Sequence, residues 1–231
     1  MSLMLAALAL SVTAYLLGVF VNRAAHESPL LHPVVVATFA AVAMLLALNL
    51  FGHPFAGTYL EENAILIEGL MLGITAFALP LIDNARRLIR DLLGIFAVTA
   101  LAGIAIGGTS LLIAYAFGLP AEAIAAIGIR SVTNPMAAVI AAANGISVEI
   151  AMLSVFVTGM IGIVISEKLL SWIGVTDERR VGLMLGITCH TFGVVRALEI
   201  SPLSAAYATV GMIVTGLLYA FSVPWILALL T

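Results

Sequence analysis

The sequence predicts an all-α integral membrane protein, a multi-span helical bundle in which two broken or re-entrant hairpin segments form an inverted repeat. Of its 231 residues, 63% are hydrophobic and only 9% are charged, and the mean hydropathy is +1.23. A soluble domain of this size could not bury so much apolar surface. Two polar interruptions, at residues 129–135 and 186–196, lie inside apolar stretches. In a membrane, such breaks are expected where they are buried in protein or line a cavity.

Apolar runs predict the uninterrupted helices in order along the chain. The first run, residues 3–21, is interpreted as a retained span rather than a secretory signal, because it is long and no lysine or arginine precedes it. Five more runs follow at residues 31–50, 62–82, 91–118, 150–172 and 204–230. About 20 helical residues cross a hydrocarbon core of roughly 30 Å, so each run can span the membrane.

The two interrupted segments, residues 121–145 and 181–200, occupy equivalent places in successive units. Each is followed by a long uninterrupted helix, and paired interruptions of this kind are typical of internal repeats in transporters. We therefore predict an N-terminal region, residues 1–118, that serves as scaffold and homodimer contact. Residues 119–231 would form the transport core that contains both interrupted segments.

Basic residues predict the orientation, because loops rich in lysine and arginine stay in the cytoplasm. Arg23 and the arginines of residues 86–90 follow the first and third spans, which places both loops on the cytoplasmic side. The basic loop within residues 168–180 lies on the same side of the membrane as these two loops only if segment 121–145 enters and leaves the membrane on one side. We therefore favour a hairpin there, with a second hairpin entering from the cytoplasm.

Charge and cysteine content exclude several classes of function. The net charge is −3 and no basic stripe is present, so nucleic-acid binding is not expected. Cys189 is the single cysteine, which rules out an intrachain disulfide and argues against a structural zinc site. We expect no cofactor and no metal. Without a pair of catalytic aspartates or a serine–histidine dyad, we do not expect an enzyme either.

The first interruption carries groups that suit a small carboxylate. Ser131, Thr133 and Asn134 provide hydroxyl and amide groups, and Pro135 disfavours helical geometry at the residue before it, which would expose backbone N–H groups. Arg130 would supply a fixed positive charge that binds a carboxylate through two hydrogen bonds. The alternative is structural, in which the guanidinium pairs with a buried acid or extends to the membrane interface.

The second interruption centres on His190. Gly186 and Gly193 flank it and permit a non-helical turn or a close backbone approach. The imidazole titrates near physiological pH, so it could bind a substrate hydroxyl or carboxylate, or carry a coupled proton; packing alone is the alternative. Arg196 and Glu199 stand three residues apart and are expected to form a structural ion pair on one helical face, with substrate binding by Arg196 as the alternative.

Both interruptions resemble motifs of the LrgB/CidB family. The segment from Arg130 to Ala137 resembles that family's Lys-Ser-Val-Thr-Thr-Pro-Ile-Ala block, and the segment from Leu185 to Ala197 resembles its Leu-Gly-Thr-Ala-Ser-His-Ala-Ile-Gly-Thr-Ala-Arg-Ala block. The resemblance extends over essentially the whole chain. Among the positions that depart from it, this chain has Arg130, Asn134, Cys189 and Val194 in place of lysine, threonine, serine and threonine. Leu72 and Ile82 also stand where the family usually has proline and tyrosine.

The resemblance implies a protein of the bacterial inner (cytoplasmic) membrane. Members of that family are holin- or antiholin-associated and are implicated in murein hydrolase export, and related proteins include plant plastid glycolate/glycerate translocators. The leading hypothesis is therefore a secondary transporter of small monocarboxylates such as glycolate, glycerate, lactate or pyruvate, with His190 as the candidate residue for proton coupling. The alternative is an antiholin-like assembly factor that modulates autolysis. Expected partners are a small carboxylate, membrane lipid, an LrgA-like small membrane protein and a second copy of the chain.

For the transporter hypothesis, the predicted substrate-binding residues come from both interruptions. They are Arg130, Ser131, Thr133, Asn134, Pro135, His190, Gly193 and Arg196. His190 is also the predicted proton-coupling residue, and Gly186 and Glu199 are predicted to be structural.

Overall fold

The computed structural model describes residues 2–26, 28–52 and 55–230, and within these ranges it contains helices and no strand. This confirms the predicted all-α class. Two short 3-10 turns, Pro29–Leu31 and Phe55–Gly57, connect helices near the N-terminus. In chain order the α-helices of the described residues are α1 (Ser2–Ala24), α2 (Pro33–Leu50), α3 (Tyr59–Glu62), α4 (Ala64–Ala76), α5 (Ala78–Asp83), α6 (Ala85–Ala116), α7 (Ala121–Gly128), α8 (Asn134–Ala143), α9 (Val148–Trp172), α10 (Glu178–Ile200) and α11 (Pro202–Leu230).

The protein is a multi-pass membrane protein. Among the described residues, seven helical segments are long and apolar enough to cross a membrane. They are Leu3–Ala24, Pro33–Leu50, Ala64–Asp83, Ala85–Ala116, Val148–Trp172, Glu178–Ile200 and Pro202–Val223. Six of them match the six predicted uninterrupted runs. The remaining one, Glu178–Ile200, contains the second interruption and has the length of a span, but its fold is different.

The chain divides into two compact units, with the boundary after Ala76. In the first unit α1 packs along α2, and the Ser11 hydroxyl lies 2.6 Å from that of Tyr59. The second unit begins at Phe77 and includes α6, which packs on α11. The structural boundary therefore precedes residue 118, where we expected the scaffold to end. A functional division into scaffold and transport core stays a prediction.

Helices α6 and α11 run parallel in the second unit. The Tyr207 hydroxyl donates to Asp91 over 2.5 Å, and three turns further along both helices the Tyr219 hydroxyl donates to the Gly103 carbonyl over 3.0 Å. Residue numbers rise by the same amount on both helices from the first contact to the second, so the two helices point in the same direction. The end of the second unit where α6 and α11 begin is called the basic end below, because it carries the arginines of residues 86–90.

Helix α10 folds back on itself at His190, whose φ of 44° and ψ of −126° lie outside the helical region. A straight helix of 23 residues would be about 34 Å long, yet the Ser201 hydroxyl, just past its end, donates to Glu178 at its start over 2.6 Å. Leu185 and Gly193 likewise lie side by side. Residues 178–200, called the second hairpin below, therefore enter and leave at the same end of the unit.

That end is the basic end. The first half of the second hairpin runs parallel to α11, because Gly182 contacts Ser204 and Gly186 contacts Ala208. Arg179 also forms a salt bridge with Asp91 of α6 over 3.6 Å. The basic loops near residues 86–90 and 179–180 thus lie together, as the hairpin hypothesis required, and the bias of basic residues places this end in the cytoplasm.

Residues 121–143, called the first hairpin below, consist of α7, five non-helical residues and α8. Helix α7 begins just after α6 ends, opposite the basic end, and α8 ends just before α9 begins. Since α9 is about 37 Å long and leads through a short loop to the basic end, its start lies at the opposite end as well. The first hairpin therefore enters opposite the second. An internal repeat that relates the two hairpins stays a prediction.

Thiol labelling tests this topology. In a Cys189→Ser background, Thr176→Cys and Ser201→Cys should react with a membrane-impermeant maleimide from one side of the membrane, because both positions flank the second hairpin at the basic end. Leu119→Cys and Ala143→Cys should react only from the other side. Labelling of right-side-out and inverted vesicles distinguishes the sides, and labelling of Thr176→Cys and Ser201→Cys from opposite sides would show that α10 crosses the membrane.

Candidate functional site

The tip of the first hairpin is the non-helical segment of residues 129–133. Thr133 adopts an extended conformation (φ −80°, ψ 154°) immediately before α8, and Pro135 occupies the first turn of that helix. A proline is well tolerated in a first helical turn but not further inside a helix. Asn134, the residue before the proline, is already helical, so the non-helical geometry that we expected there lies one residue earlier, at Thr133. Val132 and Thr133 are both buried.

The tip of the second hairpin is held by a hydrogen bond between the His190 ring and helix α9. Nε2 lies 3.0 Å from the Val155 carbonyl oxygen, and since a carbonyl only accepts, Nε2 must carry the hydrogen. In the neutral ring Nδ1 is then an acceptor. The ring fits because Gly159 has no side chain. A Cβ at this position would lie 2.7 Å from His190 Cε1.

The two tips converge on one turn of α9. The Ser154 hydroxyl donates to the Ala126 carbonyl of the first hairpin over 3.1 Å, and the next residue, Val155, binds His190 through its carbonyl. The Val155 side chain packs in the same buried cluster as Ile129 and Val132. Residues far apart in sequence therefore meet in the first third of α9.

Helix α11 covers the tips as well. Thr191, next to His190, has its hydroxyl 3.8 Å from the Met212 sulfur. One turn further along α11, Gly216 leaves room for the Met136 side chain of the first hairpin. The tip residues were predicted from the sequence, whereas the α9 and α11 residues that enclose them were not.

Polar atoms at both tips are buried without hydrogen-bond partners among the described residues. These atoms are Oγ of Ser131, Oδ1 of Asn134 and Nδ1 of His190. The Ser131 and His190 residues are only 2% and 1% exposed. Buried polar atoms are normally paired, and an unpaired one marks a place that a ligand or a water molecule can occupy. All three residues belong to the predicted substrate-binding set, whose binding role stays a prediction.

Arg130 does not point toward the second hairpin but toward α6. Its guanidinium donates to the Ser110 hydroxyl and approaches the Ile106 carbonyl at 3.5 Å. No salt bridge joins it to a carboxylate anywhere in the described ranges. The structural alternative of a buried acid partner is therefore not what the structure shows. Arg130 and His190 belong to neighbouring tips, but each is bound to a different helix.

The remaining predicted residues lie along the second hairpin. Arg196 forms a salt bridge with Glu199, as predicted, and this pair is closer to the basic end than to the tip. Gly186 allows α11 to approach, since a Cβ there would collide with the Ala208 carbonyl oxygen. Gly193 does the same for the other half of the hairpin, where a Cβ would collide with the Leu185 carbonyl. Gly186 therefore permits close packing of the hairpin on α11, and Gly193 permits close packing of its two halves.

A charged network ties the second hairpin to its neighbours at the basic end. Arg179 binds Asp177 over 3.2 Å and Asp91 over 3.6 Å, and Asp91 accepts from Tyr207. These groups, with Arg180 and Leu183, line a cavity of about 280 Å³. Hydrogen bonds from the Arg179 side chain and from the Arg180 backbone N–H lower the pKa of Asp177 below its ordinary value. None of these charged residues was among the predicted site residues.

Comparisons with known proteins agree with the motifs. A family model described as LrgB-like family matches residues 11–229. The chain is 27% identical over 208 residues to the holin-like protein CidB of Staphylococcus epidermidis, with 88% of this chain and 87% of the relative aligned. It is 27% identical over 220 residues to an uncharacterized protein, YxaC, of Bacillus subtilis, covering 93% and 91% of the two chains.

A further relative is an uncharacterized protein of Haemophilus influenzae, 25% identical over 189 residues that make up 82% of each chain. No solved structure matches the chain significantly. The name of the staphylococcal relative agrees better with the alternative hypothesis, a holin-associated protein, than with the leading hypothesis, a monocarboxylate transporter.

The stability of the second hairpin should depend on the ionisation of Asp177. Since its pKa is lowered in the folded state, its contribution is complete above about pH 4 and is lost as the pH falls further. Asp177→Asn keeps an acceptor for the backbone N–H groups of Arg179 and Arg180 but should weaken this acid-induced fall in melting temperature. Asp177→Ala should lower the melting temperature at every pH, because it also removes the helix cap.

Thermal unfolding in detergent between pH 3 and 7 measures both effects. An Asp177→Asn protein that loses as much stability on acidification as the wild type would contradict this assignment.

Proposed function

This chain belongs to the LrgB-like family, and on that premise we propose that it is a holin-associated protein of the bacterial inner membrane. In this proposal it modulates murein hydrolase export and autolysis, and it has no catalytic step. The observation that carries it is the family match over residues 11–229 together with the name of the staphylococcal relatives. A small LrgA-like membrane protein is the proposed partner, and a homodimer is the proposed assembly.

Carriage of a small monocarboxylate is the second candidate function, and the three unpaired polar atoms at the hairpin tips favour it. The neutral His190 ring offers an acceptor at Nδ1, which suits a substrate hydroxyl. Once Nδ1 takes up a proton it becomes a donor and suits a carboxylate, so that uptake of a proton and of an anion would be linked. Two re-entrant tips that meet inside a membrane bundle also resemble the broken-helix sites of secondary transporters.

Complementation of lysis tests the first candidate. A bacterium whose own LrgB-like gene has been deleted should regain most of the parental rate of detergent-induced autolysis when it expresses this chain. The decline in optical density measures the rate, and immunoblots of the membrane fraction ensure equal amounts of protein. Since the proposal requires an effect on autolysis, identical lysis curves with the chain and with an empty vector at equal expression would exclude it.

Liposomes test the second candidate and separate it from simple permeabilisation. Purified protein should give saturable uptake of labelled glycolate or pyruvate, and Thr133→Ala and His190→Ala should each abolish most of it, because both residues lie at the tips. Thr75→Ala is the matched control, since that hydroxyl is bonded to its own helix in the first unit.

Entrapped dye should stay inside these liposomes if the protein is a carrier. Release of the dye without saturable uptake would exclude carriage and would leave the holin-associated proposal in place. The two candidate functions therefore fail independently.

A further inference from the structure

An apolar cavity of about 410 Å³ lies between α6 and α11, away from the surface where His190 binds α9. Its wall on α6 is made largely of glycine, and its wall on α11 includes an aromatic ring. The residues that the argument uses are Gly103, Gly107, Gly108, Leu218, Tyr219 and Ser222. A volume of this size is in the range of small-molecule sites in proteins.

The glycines of α6 serve two purposes in this cavity. Gly103 and Gly107 make room for Tyr219, whose hydroxyl would lie 2.9 Å from a Cβ at position 107. Gly108 has no atom within 4 Å of where its Cβ would be. The side of α6 at Gly108 is therefore open space rather than packed protein.

A cation without an anionic partner lies at the edge of this cavity. Among the described residues, the Arg130 guanidinium binds neutral groups of α6, the Ile106 carbonyl and the Ser110 hydroxyl, one turn or less from Gly107. The next residue, Ser131, is 2% exposed, and its hydroxyl has no hydrogen-bond partner within the described ranges. A partly buried guanidinium is costly unless an anion compensates it, so this edge of the cavity suits an anionic group.

The depth of these groups in the membrane indicates which anion it is. Helix α6 has 32 residues, about 48 Å, and its charged first turns up to Asp91 belong to the cytoplasmic interface. A hydrocarbon core of roughly 30 Å, about 20 residues, then extends into the last turns of α6, which stay apolar as far as Ala116. The Arg130 guanidinium contacts Ile106 and Ser110 and therefore lies in the part of the core nearest the headgroups of the opposite leaflet. The cavity, lined by residues 100–111 of α6, lies at the depth of the acyl chains.

We propose that this edge binds an anionic phospholipid of the extracytoplasmic leaflet. Arg130, Ser110 and Ser131 would hold the phosphate, and one acyl chain would fill the cavity between α6 and α11. A small hydrophilic acid would leave the apolar cavity empty, and a zwitterionic lipid would leave the guanidinium without a net anionic partner. The proposal goes beyond both candidate functions, because it assigns Arg130 and Ser131 to lipid and leaves Asn134 and His190 to the hairpin tips.

Lipid competition measured by native mass spectrometry tests the site. Protein purified in mild detergent is mixed with phosphatidylglycerol and phosphatidylcholine of identical acyl chains. Both lipids offer a phosphate to the guanidinium, but the choline of phosphatidylcholine brings a second positive charge close to Arg130, so the wild type should retain phosphatidylglycerol over phosphatidylcholine by about tenfold. Arg130→Gln should reduce this ratio to near one, and Arg130→Lys should preserve part of it.

Cavity filling provides the second arm. Gly108→Leu places a side chain in the open cavity and should remove retention of both lipids. Gly94→Leu is the matched control, because Gly94 is on the same helix, also has no atom within 4 Å of its Cβ position, and does not line the cavity. It should retain lipid as the wild type does.

Three outcomes would overturn the proposal. The first is an unchanged lipid ratio in Arg130→Gln, and the second is equal lipid loss in Gly108→Leu and Gly94→Leu. The third is thermal stabilisation by millimolar inorganic phosphate equal to that by phosphatidylglycerol, which would show a site for a free anion instead. Circular dichroism of each variant identifies any that does not fold, in which case Ser110→Ala replaces Arg130→Gln and should also lower the ratio.

Discussion

The burial of non-helical backbone against α9 is the constraint on which the second unit depends. A helix that stops inside a membrane leaves backbone groups that lipid cannot satisfy, so such a break must be enclosed by protein. Here Val155 accepts from the His190 ring, and the neighbouring Ser154 donates to Ala126 of the first hairpin. One turn of α9 therefore supports two breaks that enter from opposite ends.

The close helix contacts of the second hairpin follow from that constraint. The first half of the hairpin packs closely against α11. Gly182 and Gly186 permit this approach, because a Cβ at either position would collide with a carbonyl oxygen of α11. Arg179 and Asp91 then join the open end of the hairpin to α6. The two ends of the unit differ in their charged groups. At the basic end Arg179 is paired with carboxylates, whereas among the described residues Arg130, near the other end, contacts neutral groups.

Local signals predicted the breaks well and their surroundings poorly. Pro135 indicated a break at this point of the chain to within one residue, because the restriction that proline imposes on the backbone is local; the non-helical residue is Thr133 rather than Asn134. Gly186 and Gly193 indicated a turn in the second interruption, yet the chain reverses at His190, a residue that rarely adopts a positive φ. The hydrogen bond to Val155, 35 residues away, accompanies that conformation, and no local pattern reports it.

Composition and apolar run length by themselves determined the membrane class, the uninterrupted spans and the positions of both breaks, because these depend on the transfer of apolar groups from water and on backbone preferences within a few residues. The motifs of the two breaks were also sufficient to recognise the family. Only the tertiary structure decided that the second hairpin reverses at His190, that Arg130 faces α6, and that the compact units divide after Ala76. Those outcomes depend on contacts between helices distant in sequence, and a pattern of residues does not specify which faces of two helices meet.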